Sequence, residues 1–225
     1  VSQVASLDVR CFSVGPIQEN CYFVRADAGA TSALLIDPGD EPQRLLEAAQ
    51  ELGVQIEAIL ITHCHFDHIG AVAPIARATG APVYCPEIET PILGDITKWT
   101  MAGFGPFESW QAEQTVKGGE RLKLAGMDIE VIFTPGHSPG HVTYAISTPG
   151  GPATLLSGDV LFQGSVGRVD LPGGDWATLE RSIAELIRRF GSESSVYPGH
   201  MGATTLGREL QTNPFLAELR AAALA

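Results

Sequence analysis

Apolar residues fall along this chain in short runs of strand length. Each is closed by Gly, Pro, Asp or Asn, and stretches of helical period lie between them. Leu7 to Val14 and Asn20 to Ala26 read as two strands joined by the Gly15-Pro16 turn. Ser32 to Ile36 reads as a third, closed by Asp37-Pro38-Gly39. Glu41 to Leu52 carries Leu45, Leu46, Ala49 and Leu52 at helical spacing, with Pro42 early, where a helix needs no donor, and Gly53 just past the end. Ile56 to Ile61 predicts a short buried strand, Gly70 to Thr79 a helix ended by Gly80, and Pro82 to Cys85 another strand.

The second half repeats the theme. Glu120 to Leu124 and Met127 to Phe133 form a predicted hairpin across Ala125-Gly126. His141 to Ser147 and Ala153 to Leu156 are strands joined by Pro149-Gly150-Gly151-Pro152. Asp175 to Phe190 is an amphipathic helix with Asp175 as its N-cap and Gly191 after its end. Ser194 to Tyr197 is a last strand, and Thr204 to Gln211 and Pro214 to Leu224 are terminal helices. This is a sheet-rich α/β chain in two similar halves, and residues 1–225 suit one large domain. Between the halves, residues 92–110 have no clear period and set Trp99, Met101, Phe104, Phe107 and Trp110 among glycines. A long irregular loop in a compact domain is usually functional or disordered, and its aromatics argue against disorder. The expectation is a lid or substrate wall; the alternative is a helical hairpin packing its aromatics on the core.

Composition narrows the partners. Apolar residues make up 44% and charged residues 18%, a globular balance. No run approaches the ~20 apolar residues that span a bilayer, and Val1 to Arg10 does not read as a signal peptide. The formal net charge of −12 repels phosphate backbones and argues against nucleic acid. Arg188-Arg189 reads as a solvated helix face. Cys11, Cys21, Cys64 and Cys85 lack C-x-x-C spacing, so neither a zinc ribbon nor a dense disulfide framework is expected. The expected compartment is the reducing cytoplasm, with a Cys11–Cys21 bridge on adjacent strands left open.

The chemistry concentrates in Thr62-His63-Cys64-His65-Phe66-Asp67-His68, directly after an apolar run. Nothing in core packing calls for three imidazoles and a carboxylate together, whereas a transition metal does. The other histidines are His137 and His141 in Pro135-Gly136-His137-Ser138-Pro139-Gly140-His141, and His200 in Tyr197-Pro198-Gly199-His200; Asp159 ends Ser157-Gly158-Asp159. All sit at predicted strand ends, where loops gather residues into one pocket. His63 and His65, two apart on extended backbone, point the same way, and His137 is the best third member of a three-His face. Asp67 and His68 remain for a neighbouring metal, with His200 completing it, and Asp159 bridges. Two metals ~3.5–4 Å apart sharing a hydroxide and a carboxylate are a recurrent hydrolytic design, in which bound water ionises near pH 7. Asp67 also orients the attacking hydroxide in this reading. His141 is read as a capping residue or a support behind the ligands, and Cys64 as a small buried residue facing away. Asp37 is first a turn residue, with orientation of a ligand imidazole as the alternative.

The motif set His63-x-His65-x-Asp67-His68, Pro-Gly-His137, Gly158-Asp159 and Pro-Gly-His200 resembles the metallo-β-lactamase superfamily across nearly the whole chain. The resemblance implies a four-layer αβ/βα sandwich, two mixed sheets face to face with helices on the outer faces and metals at one edge. Val14 to Tyr22, Leu161 to Asp170, and the tail Thr204 to Glu209 with Thr212-Asn213-Pro214-Phe215 look like the single-domain bacterial glyoxalase II-like branch. Glyoxalase II hydrolyses S-D-lactoylglutathione. Carried over, the family pattern gives metal 1 as His63, His65, His137 and Asp159, and metal 2 as Asp67, His68, His200 and the same Asp159. It places Arg168 where a basic residue meets the glutathione moiety. Full-length glyoxalase II has a longer C-terminal helical domain that helps bind glutathione, so those contacts stay open here. The expected activity is hydrolysis of a small acyl thioester with two divalent ions, zinc first, iron or manganese also fitting. The alternative is an iron-dependent persulfide dioxygenase, a neighbouring branch echoed by His63-Cys64-His65 and Gly167-Arg168-Val169-Asp170.

Overall fold

The computed structural model describes residues 7–147 and 151–223. Pro149 and Gly150 of the expected turn, Leu224 of the last helix and the first six residues of the chain lie outside them. The first sheet takes its strands in chain order: β1 (Asp8–Val14), β2 (Glu19–Arg25), β3 (Ser32–Ile36), β4 (Gln55–Leu60), β5 (Val83–Pro86) and β6 (Gln114–Val116). β1 to β3 pair antiparallel, and β3 to β6 pair parallel. Parallel neighbours need crossovers. These are α1 (Pro42–Glu51), then α2 (Phe66–Ile69) with α3 (Val72–Thr79), then α4 (Thr90–Leu93) with α5 (Ile96–Trp99).

The second sheet contains β7 (Arg121–Leu124), β8 (Met127–Phe133), β9 (Val142–Ser147) and β10 (Ala153–Gly158). A ribbon of β11 (Leu161–Phe162) and β12 (Ser165–Val166) and helix α6 (Trp176–Arg189) then lead to β13 (Ser195–Pro198) and β14 (Thr204–Thr205). The spatial order is β14-β13-β10-β9-β8-β7, with β10 and β13 parallel and the rest antiparallel. Helices α7 (Leu206–Thr212) and α8 (Ala217–Ala223) close the described chain.

Side-chain alternation on the strands builds the layers. Tyr22, Val24, Leu34, Ile36 and Leu60 of the first sheet pack against Ile129, Val131, Tyr144 and Ile146 of the second. Their strand neighbours Phe23, Leu35 and Ile59 face outward against Leu45 of α1 and Ile75 of α3. On the far side Leu155 and Val196 meet Leu179, Ile183 and Leu186 of α6. The result is the expected helix–sheet–sheet–helix sandwich, because each sheet presents apolar residues on both faces. Asp175 caps α6, its carboxylate accepting from the Thr178 N–H at 2.8 Å.

Several elements differ from the sequence reading. Thr204 and Thr205 pair with Val196 and Ser195 as an edge strand, and the helix begins only at Leu206, with the Thr205 hydroxyl capping it. The expected helix from Gly70 to Thr79 starts at Val72, preceded by the separate turn of α2. β6 and the β11–β12 ribbon are short additions. Residues 92–110 include α5 and an irregular stretch whose Phe104, Phe107 and Trp110 lie half-buried on the core beside α1 and α3, while Trp99 and Met101 are exposed. Cys11 and Cys21 are both free: Cys11 pairs with Tyr22 and Cys21 with Phe12, so the thiols alternate to opposite faces and cannot bridge. Among the described residues no helix is long and apolar enough to cross a membrane.

Tyr144 ties the sheets together. It is fully buried, and its hydroxyl donates to the Ile61 carbonyl at 2.9 Å, at the root of the histidine run. Tyr144→Phe removes that donor without removing apolar burial, leaving a buried carbonyl unpaired. It should lower unfolding stability by about 1–3 kcal/mol in urea titration, and an unchanged midpoint would contradict this assignment.

Candidate metal centre

The loops leaving β4, β8, β10 and β13 bring His63, His65, Asp67, His68, His137, Asp159 and His200 into one cluster. His63 Nε2 lies 3.1 Å and His137 Nε2 2.9 Å from His65 Nδ1. His200 Nε2 lies 3.3 Å from Asp67 Oδ2, and His68 Nε2 is 3.9 Å from the same oxygen. Asp159 stands between the two groups: Oδ2 is 3.4 Å from His137 Nε2 and 3.7 Å from His200 Nε2, and Oδ1 is 3.5 Å from His68 Nε2. Two glycines allow the approach. A Cβ on Gly199 would collide with Asp159 and the His68 ring, and Gly158, at a φ of +47°, lies against Thr62 and His141.

The carriers around the cluster fix where the ring protons sit. The Thr62 hydroxyl donates to Asp37 Oδ2 at 2.6 Å, so its oxygen accepts from His63 Nδ1–H at 3.1 Å. His68 Nδ1–H donates to Asp37 Oδ2 at 3.1 Å, and His137 Nδ1–H to the Arg168 carbonyl at 2.7 Å. Each bond consumes Nδ1 and turns Nε2 into the cluster, the usual support of a metal-bound imidazole. His141 stands behind: its Nε2 accepts from the Asp159 N–H at 3.1 Å, and its Nδ1–H donates to Thr134 at 3.0 Å. Asp37 is therefore more than the turn residue first read, since its other oxygen also takes the Thr62 N–H at 2.7 Å.

Two buried carboxylates were not singled out from sequence. Glu89 is satisfied on both oxygens, accepting from Ser138 Oγ at 2.7 Å and Gly140 N at 2.8 Å on one, and from Cys64 N at 3.1 Å on the other. It straps the His63–His65 segment to the His137 loop. Glu19 is 1% exposed, and among the described residues neither of its oxygens has a hydrogen-bond partner. Its Oε1 lies 3.7 Å from His68 Nδ1. Glu19 follows a turn and Glu89 lies in a short helical turn, so only tertiary contact distinguishes them from solvated acids.

This donor set fits metal ions. Burial, with the charges of His68 and His65, holds His63 well below the ordinary histidine range, and burial with the charge of His137 takes His65 down to about 4. Both are neutral at pH 7, so their lone pairs crowd one point. Tetrahedral zinc with Zn–N of 2.0–2.1 Å sets its nitrogens roughly 3.3 Å apart, close to the spacing found. Burial pushes the Asp159 carboxyl up, but the charges of His68, His137 and His200 outweigh it and hold it far below the carboxylate range. Burial would lower His68, yet Asp159 and Asp67 hold it well above the histidine range. The carboxylates thus demand positive charge at this spot. His68 Nε2 and Asp159 Oδ1 are buried without hydrogen-bond partners among the described residues, as donors awaiting a cation are.

The model of the metallo-beta-lactamase superfamily matches residues 14–200. The chain belongs to this superfamily. It is 32% identical over 213 residues to a hydroxyacylglutathione hydrolase, GloC, of Haemophilus influenzae, covering 93% of this chain and 98% of that protein. Among solved structures, BLEG-1, a B3 metallo-beta-lactamase, superposes with a TM-score of 0.86 at 35% identity over 93% of this chain and all of that one. TTHA1623 in a di-iron-bound form superposes with a TM-score of 0.77 at 43% identity, over 92% of this chain and all of that one. Among the described residues, His63, His65 and His137 form one group of ligand atoms that could hold a metal ion, and Asp67, His68 and His200 form another.

Arg168 is the one predicted site residue whose side chain stands apart. Its exposed guanidinium grips Asp170 through two hydrogen bonds of 2.6 and 2.7 Å, while its backbone carbonyl holds His137. Glu89→Gln replaces one acceptor by a donor that faces an N–H. It should weaken metal binding by roughly 10–100-fold, the usual effect of losing a support behind the ligands, read by chelator competition. Unchanged affinity would show that the strap does not position the histidines.

Proposed function

We propose that this chain is a metal-dependent hydrolase of small acyl thioesters, of which S-D-lactoylglutathione is the type substrate. The observation that carries the reading is Asp159 set between two groups of donors, His63, His65 and His137 on one side and Asp67, His68 and His200 on the other. The likeness to the hydroxyacylglutathione hydrolase over nearly both full lengths supports the thioester. In this reading each triad, with Asp159 shared, holds one divalent ion. Zinc suits the imidazole-rich set, and the di-iron relative makes iron the next choice. When bound, such ions supply a water ionised near neutral pH and a Lewis acid for the thioester carbonyl.

The chain's own residues do the rest. Asp67, whose Oδ2 faces His200 and His68, would help hold the second ion and orient the attacking water. Asp37, Thr62 and the Arg168 carbonyl keep Nδ1 protons away from the reacting side. No thiol takes part, because Cys64 turns its sulfur to Cys85, 3.5 Å away, in the core. Arg168, on the exposed rim, offers its guanidinium to a carboxylate of the thiol carrier in exchange for Asp170. The partner is a small molecule; the net charge of −12 disfavours nucleic acid. Free cysteines agree with a reducing, cytoplasmic setting.

Asp159→Ala should cut hydrolysis of S-D-lactoylglutathione by more than about 100-fold, exceeding the loss expected from any supporting residue. Wild-type turnover in that variant would end the mechanism. Oxygen uptake on glutathione persulfide with one iron bound, or β-lactam turnover without thioester turnover, would move the chain to another branch of the superfamily.

A further inference from the structure

The histidines of the centre are not held alike. His63, His68 and His137 each commit Nδ1 to a partner behind the ring. Among the described residues no hydrogen bond holds Nδ1 of His200. Its ring has Nε2 toward Asp67 and Asp159, and the edge-to-face Phe162 ring 6.0 Å away between centroids. Its side chain is 20% exposed, against 0% for His68 and 2% for His137. The place of His200 is therefore set mainly by its backbone, and that backbone is strained. Met201, directly after it, sits at a φ of +68°, a left-handed conformation that a non-Gly residue keeps only where its surroundings hold it.

Asn20 supplies the hold. β2 extends past its last pairing with β3, Tyr22 with Ile36, and in that overhang the Asn20 N–H donates to the Gly199 carbonyl at 2.7 Å. The buried Asn20 side chain donates through Nδ2 to the Pro198 carbonyl at 3.1 Å and the Met201 carbonyl at 2.8 Å. Both partners are acceptors, so the amide must turn its nitrogen toward them. One residue of the first sheet thus grips the loop leaving β13 on both sides of His200. The Tyr22 hydroxyl adds a bond to the Pro198 carbonyl at 2.6 Å, on one side only. From the second sheet, the Gly199 N–H donates to the Gly158 carbonyl at 2.9 Å, next to Asp159.

We propose that Asn20 is a positioning residue for the second ion: it keeps His200 within reach of Asp67 and Asp159, and so sets the affinity of that site without setting the first. The proposal rests on the two-ion reading above. The first group has its own support, because Glu89 holds the Cys64 N–H between His63 and His65 together with Ser138 and Gly140 of the His137 loop. Asn20 makes none of these bonds. The two sides of the centre are therefore strapped separately, one by Glu89 and the other by Asn20.

The test is stepwise zinc affinity. Metal-free wild type and Asn20→Ala are titrated with zinc against a chromophoric chelator, and anomalous scattering from zinc-loaded crystals of each locates the weaker ion. Asn20→Ala keeps the main-chain bond to Gly199 and removes both side-chain bonds. Affinity at Asp67, His68 and His200 should fall by roughly 10–100-fold, while affinity at His63, His65 and His137 stays at the wild-type value. Glu89→Gln should show the converse, with its loss at the first group. Asn20→Ser, whose hydroxyl is too short to span both carbonyls, serves as a milder variant should Asn20→Ala fail to fold, and its loss should fall on the same site. Equal weakening of both ions, as a merely structural role would give, overturns the proposal, and so does an unchanged second affinity. Either result, with two ions in the wild type, leaves the two-ion reading standing. A wild type that binds a single ion overturns that reading and the proposal together.

Discussion

A single buried carboxylate, Asp37, holds the centre in register. One oxygen takes the Thr62 N–H, and the other takes the Thr62 hydroxyl and the His68 ring N–H. These bonds lock the end of β3 to the end of β4 and settle, directly or through Thr62, which nitrogen of His63 and of His68 faces the site. Asp37 sits at a φ of +46°, a left-handed conformation that Asp tolerates better than most residues. Its N–H donates to the Leu60 carbonyl at 3.1 Å, so this bend is itself part of the sheet. It sets His63 and His68, while Glu89 takes the Cys64 N–H between His63 and His65.

The cluster is costly for a metal-free chain to hold. Glu19, Asp37, Asp67 and Asp159 crowd around His68, and burial drives Glu19 well above the ordinary carboxylate range against the pull of that imidazole. Buried charges of one sign need a cation or protons. The surrounding fold bears the cost: apolar layers on both sides of each sheet fix the strands, and the strands fix the loops. Rigid placement is what makes the donors converge in advance, so that little reorganisation accompanies ion binding. The same rigidity extends to Phe66, next to Asp67 in the chain, whose ring packs against Phe104 and Phe107.

Much of this was legible in the sequence because the donors come in local patterns. His63, His65, Asp67 and His68 announce themselves by spacing, and Gly158-Asp159 and Gly199-His200 each follow an apolar strand. The two strand-rich halves were readable from the strand runs, and the two-sheet layering from the family resemblance. What was not legible depends on contacts distant in sequence. Asp37-Pro38-Gly39 carries an ordinary turn signature, which left orientation of a ligand imidazole as the second choice; the approach of Thr62 and His68 decides for it. Glu89 reaches Cys64 and Gly140 from another part of the chain. Thr204 and Thr205 have β-branched side chains but follow a loop and precede a helical pattern; pairing with β13 decides their state. The 92–110 segment lacked a period because it is short helical turns plus an irregular stretch, fixed by where its rings pack.

The most direct test of this account is the number and position of ions in the metal-loaded protein, by elemental analysis combined with anomalous scattering from crystals. The account expects two ions per chain, one against His63, His65 and His137, the other against Asp67, His68 and His200, with Asp159 touching both. One ion, or an ion that Asp159 does not touch, would contradict it.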